Sequence, residues 1–315
     1  MLHLHVNKIS KRFGNDWVLR DVELKCHTGH IFGILGPTAS GKSTLLKIIA
    51  GKLKSNGGSV TVDNEQSTGF SYYDGLDPKP LLGIFGVGAK KLSSGERQVA
   101  ALENALANSS SVLLLDDPFR DMDHQLRSRC FEAVRRSASD KITIFASADL
   151  DQIAHLADEM AVLLGGEVAQ TGPPQDVYDM PETAAVARVT GENNIFAARR
   201  LTSTDADQPE FQTIDGGHRV FAKPVTKARL GAINQNVMLA IRPEQVMMSL
   251  GASFPEDNLL KAVVTGIDLL GPTSLVYFDA GGLEISARVF RVVGLRAGDE
   301  CMLSLPRDRI QVLKD

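Results

Sequence analysis

The sequence predicts an α/β domain on a mostly parallel sheet, followed by a small all-β domain. Three observations carry this expectation. Over the first ~180 residues, short apolar runs alternate with helix-patterned ones. Those runs are uniformly apolar, as in strands buried on both faces. Beyond about residue 200, short β-type stretches follow one another between glycine-rich turns. In chain order, Met1-Leu2-His3-Leu4-His5-Val6 alternates as a half-buried strand does. Residues 30–35 form an apolar run ending in glycine, and residues 44–50 follow with helical spacing, Gly51 standing at the C-cap. Val99, Leu102 and Leu106 mark one helix face, and residues 111–115 and 142–146 read as buried strands. Pro173-Pro174 and Pro181 start short helices. Six strands are then expected, at 237–241, 261–267, 274–278, 284–289, 300–305 and 310–313. The division drawn is 1–190 and 200–315.

Composition narrows the function classes. The 315 residues suit two domains of ~150 residues each. Acidic residues outnumber basic ones, 38 to 34, and neither half is basic, which argues against a nucleic-acid partner. No apolar run approaches the ~18–20 residues of a membrane span, and the start lacks the order of a signal peptide. Cys26, Cys130 and Cys301 are far apart and odd in number, as expected of a reduced, cytoplasmic protein without a disulfide framework or zinc site.

Gly36-Pro37-Thr38-Ala39-Ser40-Gly41-Lys42-Ser43-Thr44 fits the G-x-x-x-x-G-K-[ST] loop, with an apolar strand before it and a helix after it. Glycines let main-chain N–H groups curl around phosphate oxygens, and the helix N-terminus adds a favourable field. Lys42 would reach the β- and γ-phosphates of ATP, and the Ser43 hydroxyl would ligate Mg²⁺. The strand ending in Asp116-Asp117-Pro118 supplies the second magnesium residue, Asp116.

Between these two stands Leu92-Ser93-Ser94-Gly95-Glu96-Arg97-Gln98. In the order phosphate loop, signature, Asp-tipped strand, the chain resembles the nucleotide-binding subunits of ATP-binding cassette (ABC) transporters, whose signature is Leu-Ser-Gly-Gly-Gln, often with Glu last. Ser94 replaces the first glycine. The resemblance implies that Ser93, Gly95 and Glu96 complete the phosphate site of a second ATPase domain, that Phe13 stacks on adenine, and that Asp123 is the D-loop aspartate. Leu239-Ala240-Ile241-Arg242-Pro243-Glu244 and Leu295-Arg296-Ala297-Gly298-Asp299-Glu300 resemble the transport-associated OB domain of maltose-, glycerol-phosphate- and polyamine-type importers. The implied architecture is a P-loop ATPase domain followed by an OB-like regulatory domain.

Four departures from the family pattern bear on mechanism. The glutamate that orients the attacking water is Asp117, one methylene shorter, and the switch histidine is Ala148. The glutamine after the second domain strand aligns with Tyr73, Asp74 being a weak substitute. Only residues 75–92 stand where the family inserts a helical subdomain, and Gly83, Gly86 and Gly88 each cost a helix ~1 kcal/mol. The expected protein is an ATP-binding subunit of an ABC importer at the inner face of the cell membrane, working with integral membrane subunits. It pairs with a second ATPase subunit, a heterodimer being favoured over a homodimer, and hydrolyses weakly or not at all at its own site. The alternative is a non-hydrolysing, ATP-dependent regulator or scaffold. A soluble ABC protein of DNA repair or translation is disfavoured by the single ATPase domain and acidic balance. His3 and His5 share one strand face without a visible third metal ligand, and they read, like His27 and His30, as an exposed surface. Met247-Met248 reads as packing.

Overall fold

The computed structural model describes residues 1–63, 69–75, 93–120, 122–201, 209–225, 230, 232–249, 258–290 and 294–314. The expected shortened segment therefore lies outside the described residues, apart from Gly75. The chain divides into two units, Met1–Asp179 and Met180–Asp315.

Among the described residues, the first unit holds two sheets. Strands β1 (His3–Phe13), β2 (Asp16–His27) and β4 (Gly57–Val62) form an antiparallel sheet in the order β2-β1-β4. A six-stranded sheet has the order β5-β6-β7-β3-β8-β9, from β3 (Ile31–Leu35), β5 (Phe70–Asp74), β6 (Val112–Asp116), β7 (Ile142–Ser147), β8 (Glu159–Leu164) and β9 (Glu167–Gly172). Its pairings are parallel except for β8 with β9. Every residue of β3, β6 and β7 is buried, which is why these strands are continuously apolar. Helix α1 (Lys42–Ile49) buries Leu45, Leu46, Ile48 and Ile49 in one core with Leu4, Val6, Val22, Ile34 and Leu114. Helices α2 (Ser94–Ala107), α3 (His124–Ser137), α4 (Leu150–Leu156) and α5 (Pro174–Asp179) also belong to this unit. The buried line of α2 is Gly95, Gln98, Leu102 and Leu106. Gln98, not the expected Val99, lies on that line, because its amide donates to Gly75 O at 3.0 Å and is satisfied there.

The second unit begins earlier than residue 200. Helix α6 (Ala184–Val189) and its flank belong to it, because the Arg242 guanidinium donates to Thr190 Oγ1 at 2.8 Å and Glu192 O at 3.1 Å. Two five-stranded sheets enclose one apolar core. One has the order β12-β11-β10-β13-β19, from β10 (Asn194–Arg200), β11 (Glu210–Thr213), β12 (Arg219–Phe221), β13 (Asn236–Ile241) and β19 (Gln311–Val312). The other is β14-β18-β15-β16-β17, from β14 (Met247–Ser249), β15 (Asn258–Leu270), β16 (Thr273–Ala280), β17 (Leu283–Phe290) and β18 (Glu300–Leu305). Asn258 ties the core together: its amide donates to Phe221 O and Leu305 O, both at 2.9 Å, and its oxygen accepts from Phe221 N at 2.7 Å. Asn258→Ala leaves these main-chain groups unpaired in a buried place. It should destabilise this unit by about 3 kcal/mol, read as a lower urea midpoint for its unfolding transition.

Candidate nucleotide-binding site

The loop from Gly36 to Gly41 joins β3 to α1 and is shaped by its glycines. A Cβ on Gly36 would lie 2.5 Å from Leu163 O and 2.6 Å from Ser40 Oγ. Gly41, the N-cap of α1, has φ +103°, and a Cβ there would fall 2.7 Å from Leu19 Cδ2. Such a loop presents main-chain N–H groups, with the first-turn N–H groups of α1 behind them, and forms an anion cradle. Lys42 is buried at its centre, its ammonium donating to Gly36 O at 2.7 Å and Pro37 O at 2.9 Å. Burial lowers the pKa of this ammonium, while the carboxylates of Asp117 and Asp116 oppose that shift. Thr38 and Ala39 are exposed on the loop, Ser40 is buried inside it, and Thr44 is half-buried in the first turn of α1.

The two expected magnesium residues meet. Ser43 Oγ donates to Asp116 Oδ1 at 3.0 Å, across the gap between α1 and the tip of β6. A hydroxyl and a buried carboxylate beside an anion cradle are the donors a hard divalent cation takes, so the residues fit MgATP. Burial raises the pKa of Asp116, its hydrogen bonds from Ser43 and Tyr72 pulling the other way.

On β5 the structure separates the roles of Tyr72 and Tyr73. Tyr73 turns into the core, where its hydroxyl donates to Gln98 O at 3.3 Å. Tyr72 and Asp74 lie on the opposite face of β5. Tyr72 donates its phenol to Asp116 Oδ2 at 2.9 Å, and Asp74 pairs in register with Asp116. Lys52 Nζ sits 4.4 Å from the centre of the Tyr72 ring. Burial foremost, then Asp116, hold this phenol protonated as a donor. Sequence alternation says that Tyr72 and Asp74 share a face. Only the parallel register with β6 says which face that is.

Asp117 follows β6 with φ +47° and accepts from Arg120 at 2.9 Å. Ala148 is exposed between β7 and α4 and offers no hydrogen-bonding side chain. Phe13, half exposed at the end of β1, has Lys11 Nζ 5.1 Å from its ring centre. Ser93 caps α2: its hydroxyl accepts from Glu96 N at 3.2 Å, while its own N–H reaches Glu96 Oε2 at 2.8 Å. These bonds from Ser93 hold the Glu96 carboxyl below the usual range. Gly95 is buried beside them. Asp123 caps α3, accepting from Leu126 N at 2.9 Å.

Fold and loop together define a P-loop nucleotide-binding domain joined to an all-β unit. The family described as ABC transporter matches residues 19–79, and the one described as TOBE domain matches residues 239–313. A sulfate/thiosulfate import ATP-binding protein of Caulobacter vibrioides is 31% identical, over 70% of this chain and 80% of its own. A second such protein, from Shewanella oneidensis, is 27% identical over 96% of each chain. A maltose/maltodextrin import ATP-binding protein of Mannheimia succiniciproducens is 24% identical over 100% of this chain and 96% of its own. The chain belongs to the ATP-binding subunits of ABC transporters, a family that binds ATP. The Shewanella match spreads over 359 positions, more than the 315 residues present, so that relative carries segments this chain lacks. A solved ATP-binding cassette of an ABC transporter superposes with a TM-score of 0.51 at 19% identity, over 60% of this chain and 98% of that one, a likeness of fold.

Proposed function

We propose that this chain is the ATP-binding subunit of a solute importer. It acts on the cytoplasmic face of the membrane with integral membrane subunits and a second ATPase domain. One observation supports this reading above the others: Ser43 and Asp116 are hydrogen-bonded at the head of the Gly36–Gly41 cradle, with Lys42 inside it. Loop amides and Lys42 would hold the phosphates, Phe13 the adenine, and Ser43 with Asp116 the magnesium ion. That ion, when bound, would neutralise phosphate charge. Ser93, Gly95 and Glu96, at the N-terminus of α2, would be offered to the phosphates of the second ATPase domain. Among the described residues, no helix is long and apolar enough to cross a membrane, in keeping with partners that supply the spans.

Turnover at this chain's own site is proposed to be slow. Asp117 is short and engaged by Arg120, and Ala148 has no group to place on a γ-phosphate. The same observation favours a second reading, a non-hydrolysing regulator in which ATP only orders the assembly. Purification from the native membrane, followed by ATPase assays, tests both. Membrane subunits should co-purify, and Ser93→Arg should reduce turnover of the complex more than Lys42→Ala does. A complex that assembles with ATP and never turns over would establish the second reading. Capture without membrane subunits would overturn the first.

Tyr72 gives a further expected result. Its phenol occupies Asp116 Oδ2, so Tyr72→Phe should increase several-fold the factor by which Mg²⁺ tightens ATP binding. Titrations with and without Mg²⁺, followed by fluorescence of Trp17, the chain's single tryptophan, paired with Arg12 at the β1–β2 turn next to Phe13 in sequence, would read this. An unchanged factor would show that the bond opens without cost.

A further inference from the structure

Four of the seven histidines gather at one end of the β1–β2 pair, at the opposite end of β3 from the phosphate loop. Leu4 and Val6 are buried, so His3 and His5 share the outward face of β1. Antiparallel register places His27 of β2 directly opposite His3. After the Thr28-Gly29 turn, His30 returns to stand against His27. Ring centroids are 6.3 Å apart for His3 and His5, 6.0 Å for His3 and His27, and 4.3 Å for His27 and His30. All four side chains are half-buried, at the rim of the unit.

From this arrangement we infer a binding site for a divalent transition-metal ion, Zn²⁺ foremost, held by His3, His5 and His27 with His30 alongside. Two histidines on alternate residues of one strand and a third on the antiparallel neighbour put three imidazoles in one neighbourhood, where side-chain rotation brings them to one ion and leaves a fourth position open. Imidazole suits Zn²⁺, Cu²⁺ and Ni²⁺, whereas Mg²⁺ prefers oxygen donors. With its ring proton on Nδ1, His27 donates to Thr28 O across the 3.2 Å between them and leaves Nε2 for the metal. As the rings stand, no three donors among the described residues converge. For the two pairs that include His3, the distance to close is small. Zn–N bonds of about 2.0–2.1 Å in a tetrahedral site put ring centroids roughly 5 Å apart, about 1 Å less than the His3 separations. Rotation of half-exposed side chains supplies that, without a change of strand register. The site is distinct from the nucleotide cradle, because the five residues of β3 separate the two by roughly 17 Å.

Zinc chloride titrated into the full-length, untagged, chelator-treated protein, with calorimetry and metal analysis after dialysis, decides the matter. One Zn²⁺ per chain with saturable heat is expected. His27→Ala and the pair His3→Ala/His5→Ala should each weaken uptake at least tenfold, while His124→Ala on α3 leaves it unchanged. The Trp17 response to ATP shows in every variant that the unit is folded, and it should survive all three changes. Absent or non-saturating uptake, or uptake equal in the His27→Ala and His124→Ala proteins, would overturn the site and leave the ATP reading untouched.

Discussion

Lys42→Ala should weaken ATP binding about a hundredfold, measured by Trp17 fluorescence or calorimetry. In the structure the Lys42 ammonium is held by two main-chain carbonyls, Gly36 O and Pro37 O. Both are neutral acceptors, which a phosphate oxygen outcompetes because its negative charge attracts the ammonium more strongly. Hydrogen bonds to charged groups contribute about 1.5–3 kcal/mol each, a factor of roughly 10 to 150 in affinity. Burial lowers the lysine's pKa and the carboxylates of Asp117 and Asp116 oppose that shift. Lys42→Arg should not rescue, because a residue only 8% exposed under a closed loop leaves no room for a planar fork. The alanine variant also leaves buried Gly36 O without the Lys42 donor, while Pro37 O keeps the N–H of Ser40, so its melting temperature should fall by a few degrees. A full-affinity Lys42→Ala protein would remove the phosphate loop from the account.

Much of the first unit was legible because its information is local. Continuous apolar runs become β3, β6 and β7, each buried along its whole length, and the spacing of Gly36, Gly41 and Lys42 needs only a strand before it and a helix after it. What escaped depends on register and on partners distant in sequence. Tyr72 and Tyr73 differ by one position, and a strand turns successive side chains to opposite faces, so alignment with the family's glutamine could not tell which one reaches Asp116. His27 completes the histidine group only through its pairing with His3, twenty-odd residues away. Arg242 draws Thr190 into the second unit through a side-chain bond that no composition shift announces. Strands β10, β11 and β12 were missed as well, being short and mixed in character, with burial set by the sheet they join rather than by their own pattern.

Asp117→Glu is expected to raise steady-state hydrolysis by up to about a hundredfold, the scale on which a misplacement near 1 Å is felt. A positioned general base contributes about 10² to 10⁴ in rate, so restoring reach recovers a large part of what catalysis here lacks. Two features of the structure set the size of the gain. Asp117 has φ +47°, a conformation aspartate tolerates better than glutamate, so the substitution costs about 1 kcal/mol of stability. Arg120 holds Asp117 Oδ2 at 2.9 Å, in a pair exposed enough to be worth under about 1 kcal/mol, so the longer side chain escapes it readily. Arg120→Ala in the same protein should therefore add only a few-fold. Ala148→His, which restores a donor beyond β7, should act together with Asp117→Glu and do little alone, because a γ-phosphate contact accelerates nothing while the water is unoriented. ATP affinity should stay within a few-fold throughout, since none of the three residues belongs to the cradle. If the triple variant binds ATP normally and still fails to turn over in the assembled complex, the deficit lies beyond these side chains. ATP then serves this chain as an ordering ligand, and the regulator reading displaces the motor.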